Sequence, residues 1–231
     1  MNAATFRSWL VSLAAIAVTN GAMAQTEPDA KLIAHWPLDG SAAEIVGGRQ
    51  SDLVNSPVNV DGVQGQALQF GGKTAVETQI NLDPKAMPVT TITFWVKTTN
   101  VMGPKNDVAL ISTGSGQAPR IYMRGNGLSV LAGAKRFSPI KDLQPGRWYF
   151  VAVSWDNPNG TLWIKIDRSE FEFQAGYKIR AGHSVRHSPR DPEYQQQGSK
   201  AQRKPYLWIG ARDAMAFKNE AAGVAIDDVR V

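Results

Sequence analysis

The chain reads as an all-β protein, a two-sheet antiparallel sandwich of the jelly-roll type, and three observations predict it. Short runs rich in aromatic and branched residues recur about every ten positions. Turn dipeptides, Asp39-Gly40, Asp61-Gly62, Asn126-Gly127 and Asn159-Gly160, punctuate them where Gly or Asn accepts a positive φ. No window of about twelve residues sustains a helical apolar period, so any helix is a single turn. The composition agrees, with 21 Gly, 13 Pro and 7 Trp in 231 residues.

The first 24 residues stand apart. Arg7 is their single charged side chain, Leu10–Val18 is a short apolar run, and Ala22-Met23-Ala24 is a small-x-small pattern. These are the parts of a secretory signal peptide, cleaved after Ala24, which leaves residues 25–231 as an exported domain, secreted or periplasmic. The apolar run is far shorter than the roughly 20 residues that span a bilayer, so the expected product is not membrane-spanning. The absence of Cys removes disulfides, thiolate metal sites and a cysteine nucleophile.

Strands are expected at Leu32–Leu38, Ala67–Phe70, Ala75–Thr78, Ile92–Thr98, Val108–Ser112, Arg120–Arg124, Leu128–Ala132, Trp148–Trp155, Thr161–Ile166, Glu170–Phe173, Tyr206–Ile209 and Val224–Val229. Ile92–Lys97 alternates strictly, with Ile92, Phe94 and Val96 opposite Thr93, Trp95 and Lys97, as a sheet with two different faces requires. Trp148–Trp155 alternates likewise, and Asn159-Gly160 joins it to Thr161–Ile166 as a hairpin. A dozen strands in this length fill two packed sheets.

Between the last two pairs of strands, 177–204 lacks alternation, contains Pro189, Pro192 and three consecutive Gln, and reads as a long surface loop. It holds seven basic and two acidic residues. Outside it the exported chain has 17 basic and 18 acidic residues, so the sequence pI of about 9.5 comes from this insertion.

Several blocks in order carry a resemblance. They are Ile33-Ala34-His35-Trp36-Pro37-Leu38-Asp39-Gly40, Gly62–Gly72, Ile92–Lys97, Gly146–Asp156 with Thr161–Ile164, Leu207-Trp208-Ile209-Gly210 and Ala225–Arg230. Together they resemble the laminin G-like, concanavalin A-like lectin and glucanase domains of secreted bacterial proteins. The resemblance covers about residues 32–231 and implies a jelly roll. The basic insertion departs from the pattern, and so does the ending at Val231, which implies a truncated tail.

By the same resemblance, a structural calcium ion is expected on Asp39, Asp227 and Asp228, since that hard cation takes oxygen ligands; the rival role of Asp39 is to start a turn. Catalytic residues are not expected. The nearest acid pair on one strand face is Glu170 and Glu172, against a neutral role as solvated strand acids. No Gly-x-Ser-x-Gly occurs, and His183 and His187 lack the helix a zinc pair needs. The strand tryptophans are expected in the core. For ligand binding the candidates are Tyr177, Arg180, Arg186, Arg190, Tyr194 and Arg203, rings and guanidinium forks suited to sulfated or uronic-acid polymers. The expected function is a non-catalytic carbohydrate-binding or adhesion module for glycan, anionic polysaccharide or a cell-surface protein. The alternatives are a polysaccharide-degrading enzyme and a protein-binding assembly module. Specific nucleic-acid binding is not expected, because no nucleic-acid motif or basic stripe accompanies the loop.

Overall fold

The computed structural model describes residues 31–71, 74–82, 86–99, 107–113, 120–132, 135–174, 206–210 and 223–231. The expected signal peptide and all of the basic insertion, with its six ligand candidates, lie outside these residues. Leu32–Val231 is one compact unit. No helix among the described residues is long and apolar enough to cross a membrane.

Fifteen strands are present among the described residues. They begin with β1 (His35–Trp36), β2 (Ser51–Val54), β3 (Val58–Asp61), β4 (Gln66–Phe70) and β5 (Ala75–Asn81). Then come β6 (Val89–Thr98), β7 (Asp107–Thr113), β8 (Arg120–Arg124), β9 (Gly127–Ala132) and β10 (Lys135–Ile140). The last are β11 (Trp148–Asp156), β12 (Thr161–Ile166), β13 (Ser169–Gln174), β14 (Tyr206–Ile209) and β15 (Val224–Arg230). One sheet runs β13-β12-β11-β6-β15-β4-β3, with β1 beside the end of β15, and the second runs β10-β9-β8-β7-β14-β5-β2. Every pairing is antiparallel. The expected two-sheet sandwich is what the chain forms.

All twelve expected strands are found, the first shortened from Leu32–Leu38 to His35–Trp36, and β2, β3 and β10 are additional. β2 and β3 are four-residue edge strands with mostly exposed positions, and β10 contains Pro139 inside a register shift between Phe137 and Ile140. Proline is tolerated at such an edge because no ladder bond is required of it.

The first sheet is organised by the nine-pair ladder from Trp148↔Lys97 to Asp156↔Val89. In β11, Tyr149, Val151, Val153 and Trp155 are buried while their neighbours are partly exposed. In β6, Ile92, Phe94 and Val96 enter the same core. They meet Val76, Ile80, Ile111, Ile121, Leu207 and Ile209 of the second sheet. A slip of one residue would exchange core for surface along the whole strand, so burial fixes the register.

Glu44 locks the loop after β1. Its buried carboxylate accepts amides from His35 (3.1 Å), Val46 (2.7 Å), Gly47 (2.8 Å) and Arg49 (3.0 Å). Burial alone would raise its pKa, but these amides stabilise the anion and bring it from 4.5 down to about 2.

Candidate functional site

Register decides which tryptophans are available. Trp36, Trp155 and Trp208 are buried, as expected of strand tryptophans. Trp95, Trp148 and Trp163 depart from that expectation: their strand neighbours fill the core, so these three lie on the face of the first sheet turned away from the second. Trp163 is 41% exposed. For two of them the signal was present in the sequence, since Trp95 shares its strand face with Thr93 and Lys97, and Trp163 shares its face with Thr161 and Lys165.

Trp95 and Phe150 are cross-strand partners, with ring centroids 5.3 Å apart at 61°, an edge-to-face contact. Beside them Lys97 Nζ sits 4.5 Å from the centre of the Trp148 ring. Between these rings and the β12–β13 turn lies an open cleft of about 670 Å³, lined also by Arg147, Asp167 and Arg168.

Two turns border this floor, and a buried or half-buried aspartate holds each. In the β12–β13 turn Asp167 adopts a φ of 51°, a left-handed value that Asp tolerates better than most residues. Its Oδ1 accepts the Phe150 amide at 2.9 Å, and its Oδ2 accepts Arg147 at 2.8 Å. The Arg147 guanidinium also lies 4.7 Å from the Tyr149 ring. Its reach is therefore set from two sides.

On the other border, the loop between β3 and β4 is fastened by Asp227, the register partner of Trp95. Asp227 is 1% exposed, and its Oδ2 accepts the Val63 amide at 2.7 Å. Asp39 Oδ1 accepts the Gln66 amide at 2.7 Å. The backbone comes so close that a Cβ on Gly62 would lie 2.7 Å from Asp227 Oδ2 and 2.6 Å from the Gln66 carbonyl oxygen, contacts that only glycine avoids. Desolvation raises the Asp227 pKa, its two loop amides oppose this, and the nearby Asp228 and Asp39 carboxylates add to the rise. Asp228 turns away at a φ of 53°, and its Oδ1 lies 2.6 Å from His35 Nε2 and 3.0 Å from Arg230.

The three expected calcium ligands are thus neighbours, but each is engaged with protein donors. Among the described residues no three His, Asp or Glu side chains are disposed to hold a metal ion. Each carboxylate is engaged through one oxygen, Asp39 Oδ1 and Asp227 Oδ2 by loop amides and Asp228 Oδ1 by His35 and Arg230, and these donors compete with a cation for that oxygen. Glu170 and Glu172 are on β13, in register with Lys165 and Trp163 of β12.

No family model matches the chain, and no curated protein matches it. Solved structures do. Domain 4 of AbnA, a GH43 extracellular arabinanase from Geobacillus stearothermophilus in complex with arabinotriose, superposes with a TM-score of 0.57 at 15% identity, covering 87% of this chain and 91% of that one. The binding domain of botulinum neurotoxin DC in complex with SialylT gives a TM-score of 0.58 at 11% identity, over 87% of this chain and 47% of the other. A mutant of Trypanosoma rangeli sialidase displaying trans-sialidase activity gives 0.60 at 12% identity, over 88% and 31%. The chain therefore spans about half of the toxin domain and under a third of the sialidase. At these identities the likeness shows the fold alone, a β-sandwich.

Proposed function

We propose that the chain is an exported, non-catalytic carbohydrate-binding module of the laminin G-like kind, and that it holds anionic polysaccharide on the outward face of its first sheet. The observation that carries the reading is the ring pair Trp95–Phe150 with Trp148, set beside Lys97, Arg147 and Arg168. Aromatic faces stack on the apolar face of a sugar ring, while ammonium and guanidinium groups meet carboxylate or sulfate. Asp167, the one acid among the described residues that line the cleft, is already paired with Arg147. The charge left for a ligand is positive. The basic composition of 177–204 is in keeping with an anionic ligand, and the signal-peptide pattern in 1–24 supports export.

Titration of residues 25–231 with polygalacturonate and chondroitin sulfate tests this. Affinity should fall as salt rises, because exposed charge contacts are screened, and neutral arabinan should bind more weakly. Equal affinity for neutral and anionic polymers would contradict the anionic assignment.

The trio Asp39, Asp227 and Asp228 is read as a latch for the β3–β4 loop and the β1–β15 pair, in place of a calcium site. Chelation with EDTA should accordingly leave the melting temperature unchanged; a calcium-reversible drop would contradict the latch, since a metal bound to the folded state stabilises it.

A second reading, hydrolysis of the bound chain, rests on one observation: Glu170 and Glu172 are the register partners of Lys165 and Trp163 in the β12–β13 ladder. Release of reducing ends by the wild type and its loss in Glu170→Gln/Glu172→Gln would establish it.

A further inference from the structure

Resting on the glycan reading of this sheet face, we propose that Trp163 forms a second ring-binding platform and that the ligand is an extended chain, bound along its interior and running along the strands rather than held by its end. Trp163 lies opposite Ser154, and Ser154 stands six residues along β11 from Trp148, about 20 Å at strand spacing. No single sugar can touch both rings. Beyond the Trp95–Phe150 pair the surface toward Trp163 is low, floored by Thr93 and Ala152 in one row and Thr91 and Ser154 in the next, with the Thr91 hydroxyl donating to Ser154 Oγ at 2.9 Å.

The row through Thr93 and Ala152 has a cation at each side. Arg230 is the register partner of Thr93, and Lys165 is the partner of Ala152, about 14 Å apart across three strand spacings. Both side chains are exposed, and Arg230 is held in place by Asp228. Small residues between two ring platforms, crossed by a pair of cations, make a trough whose charge complements a polymer with an acidic group on successive units. A compact ligand in the cleft would have no use for Trp163, which is the most exposed of the three outward tryptophans.

The test is calorimetric titration of residues 25–231 with size-fractionated chondroitin sulfate and polygalacturonate oligosaccharides. The affinity should rise with length and level off once a chain spans both platforms. Trp163→Ala should weaken long chains at least about tenfold and leave the shortest binders unchanged, while Trp163→Phe should retain most of the gain. Circular dichroism confirms that each variant is folded. Length-independent affinity, or a Trp163→Ala loss equal for short and long chains, overturns the extended-chain inference and leaves the cleft reading intact. Failure of every oligosaccharide and both polymers to bind overturns the cleft reading as well.

Discussion

Trp148→Ala should abolish most polysaccharide binding, weakening it at least about tenfold, with a change in folding stability of no more than about 1 kcal/mol. The two effects separate because Trp148 points outward at the start of β11, while its neighbour Tyr149 enters the core. Removing the ring deletes a stacking surface and also releases Lys97, which is held 4.5 Å from the ring centre. Lys97 then loses the preorganisation that makes its charge useful at the cleft. Titration and thermal melting of the same preparation check this. A fully folded Trp148→Ala protein that binds as the wild type does would place the ligand elsewhere.

Glu44→Gln should destabilise the fold by about 3 kcal/mol at pH 7, the equivalent of the drop in its pKa from 4.5 to about 2 at roughly 1.4 kcal/mol per unit. The amides around Glu44 all donate, and a glutamine would turn its own NH₂ toward some of them. The pH dependence follows from the sign. The folded pKa lies below the unfolded one, so the stabilisation is complete above about pH 4.5 and is lost as pH falls toward 2. Wild type and Glu44→Gln should therefore converge in acid. Denaturation curves between neutral pH and pH 2.5 measure this, and a gap that stays constant would show that the effect comes from packing rather than charge.

The strands were legible where alternation was strict, as in Ile92–Lys97 and Trp148–Trp155, because period two with one apolar face leaves a single register. β2, β3 and β10 were not. Ser51–Val54 and Val58–Asp61 pair only on one side and bury little, so their sequences show no apolar face, and Pro139 argues against a strand except at a sheet edge. Tryptophan was misleading because size suggests burial, while the companions on the same face, Lys97 beside Trp95 and Lys165 beside Trp163, already indicated the outward side.

The juxtaposition of Asp39 with Asp227 came from resemblance, and what they bind is evident only in three dimensions, where the amides of Val63 and Gln66 meet them. Glu44 gave no signal at all. An acid in a short loop carries no mark of the amides that will surround it, since those belong to residues the chain brings together only on folding.

The most direct test of the central claim, that the outward face of the first sheet is the glycan site, is a glycan array probed with residues 25–231 and, in parallel, with the Trp95→Ala/Trp148→Ala variant. The expected result is wild-type binding to sulfated and uronic-acid polymers that disappears in the folded variant. Hits that persist unchanged in the variant, or a blank array with folded wild type, would contradict it.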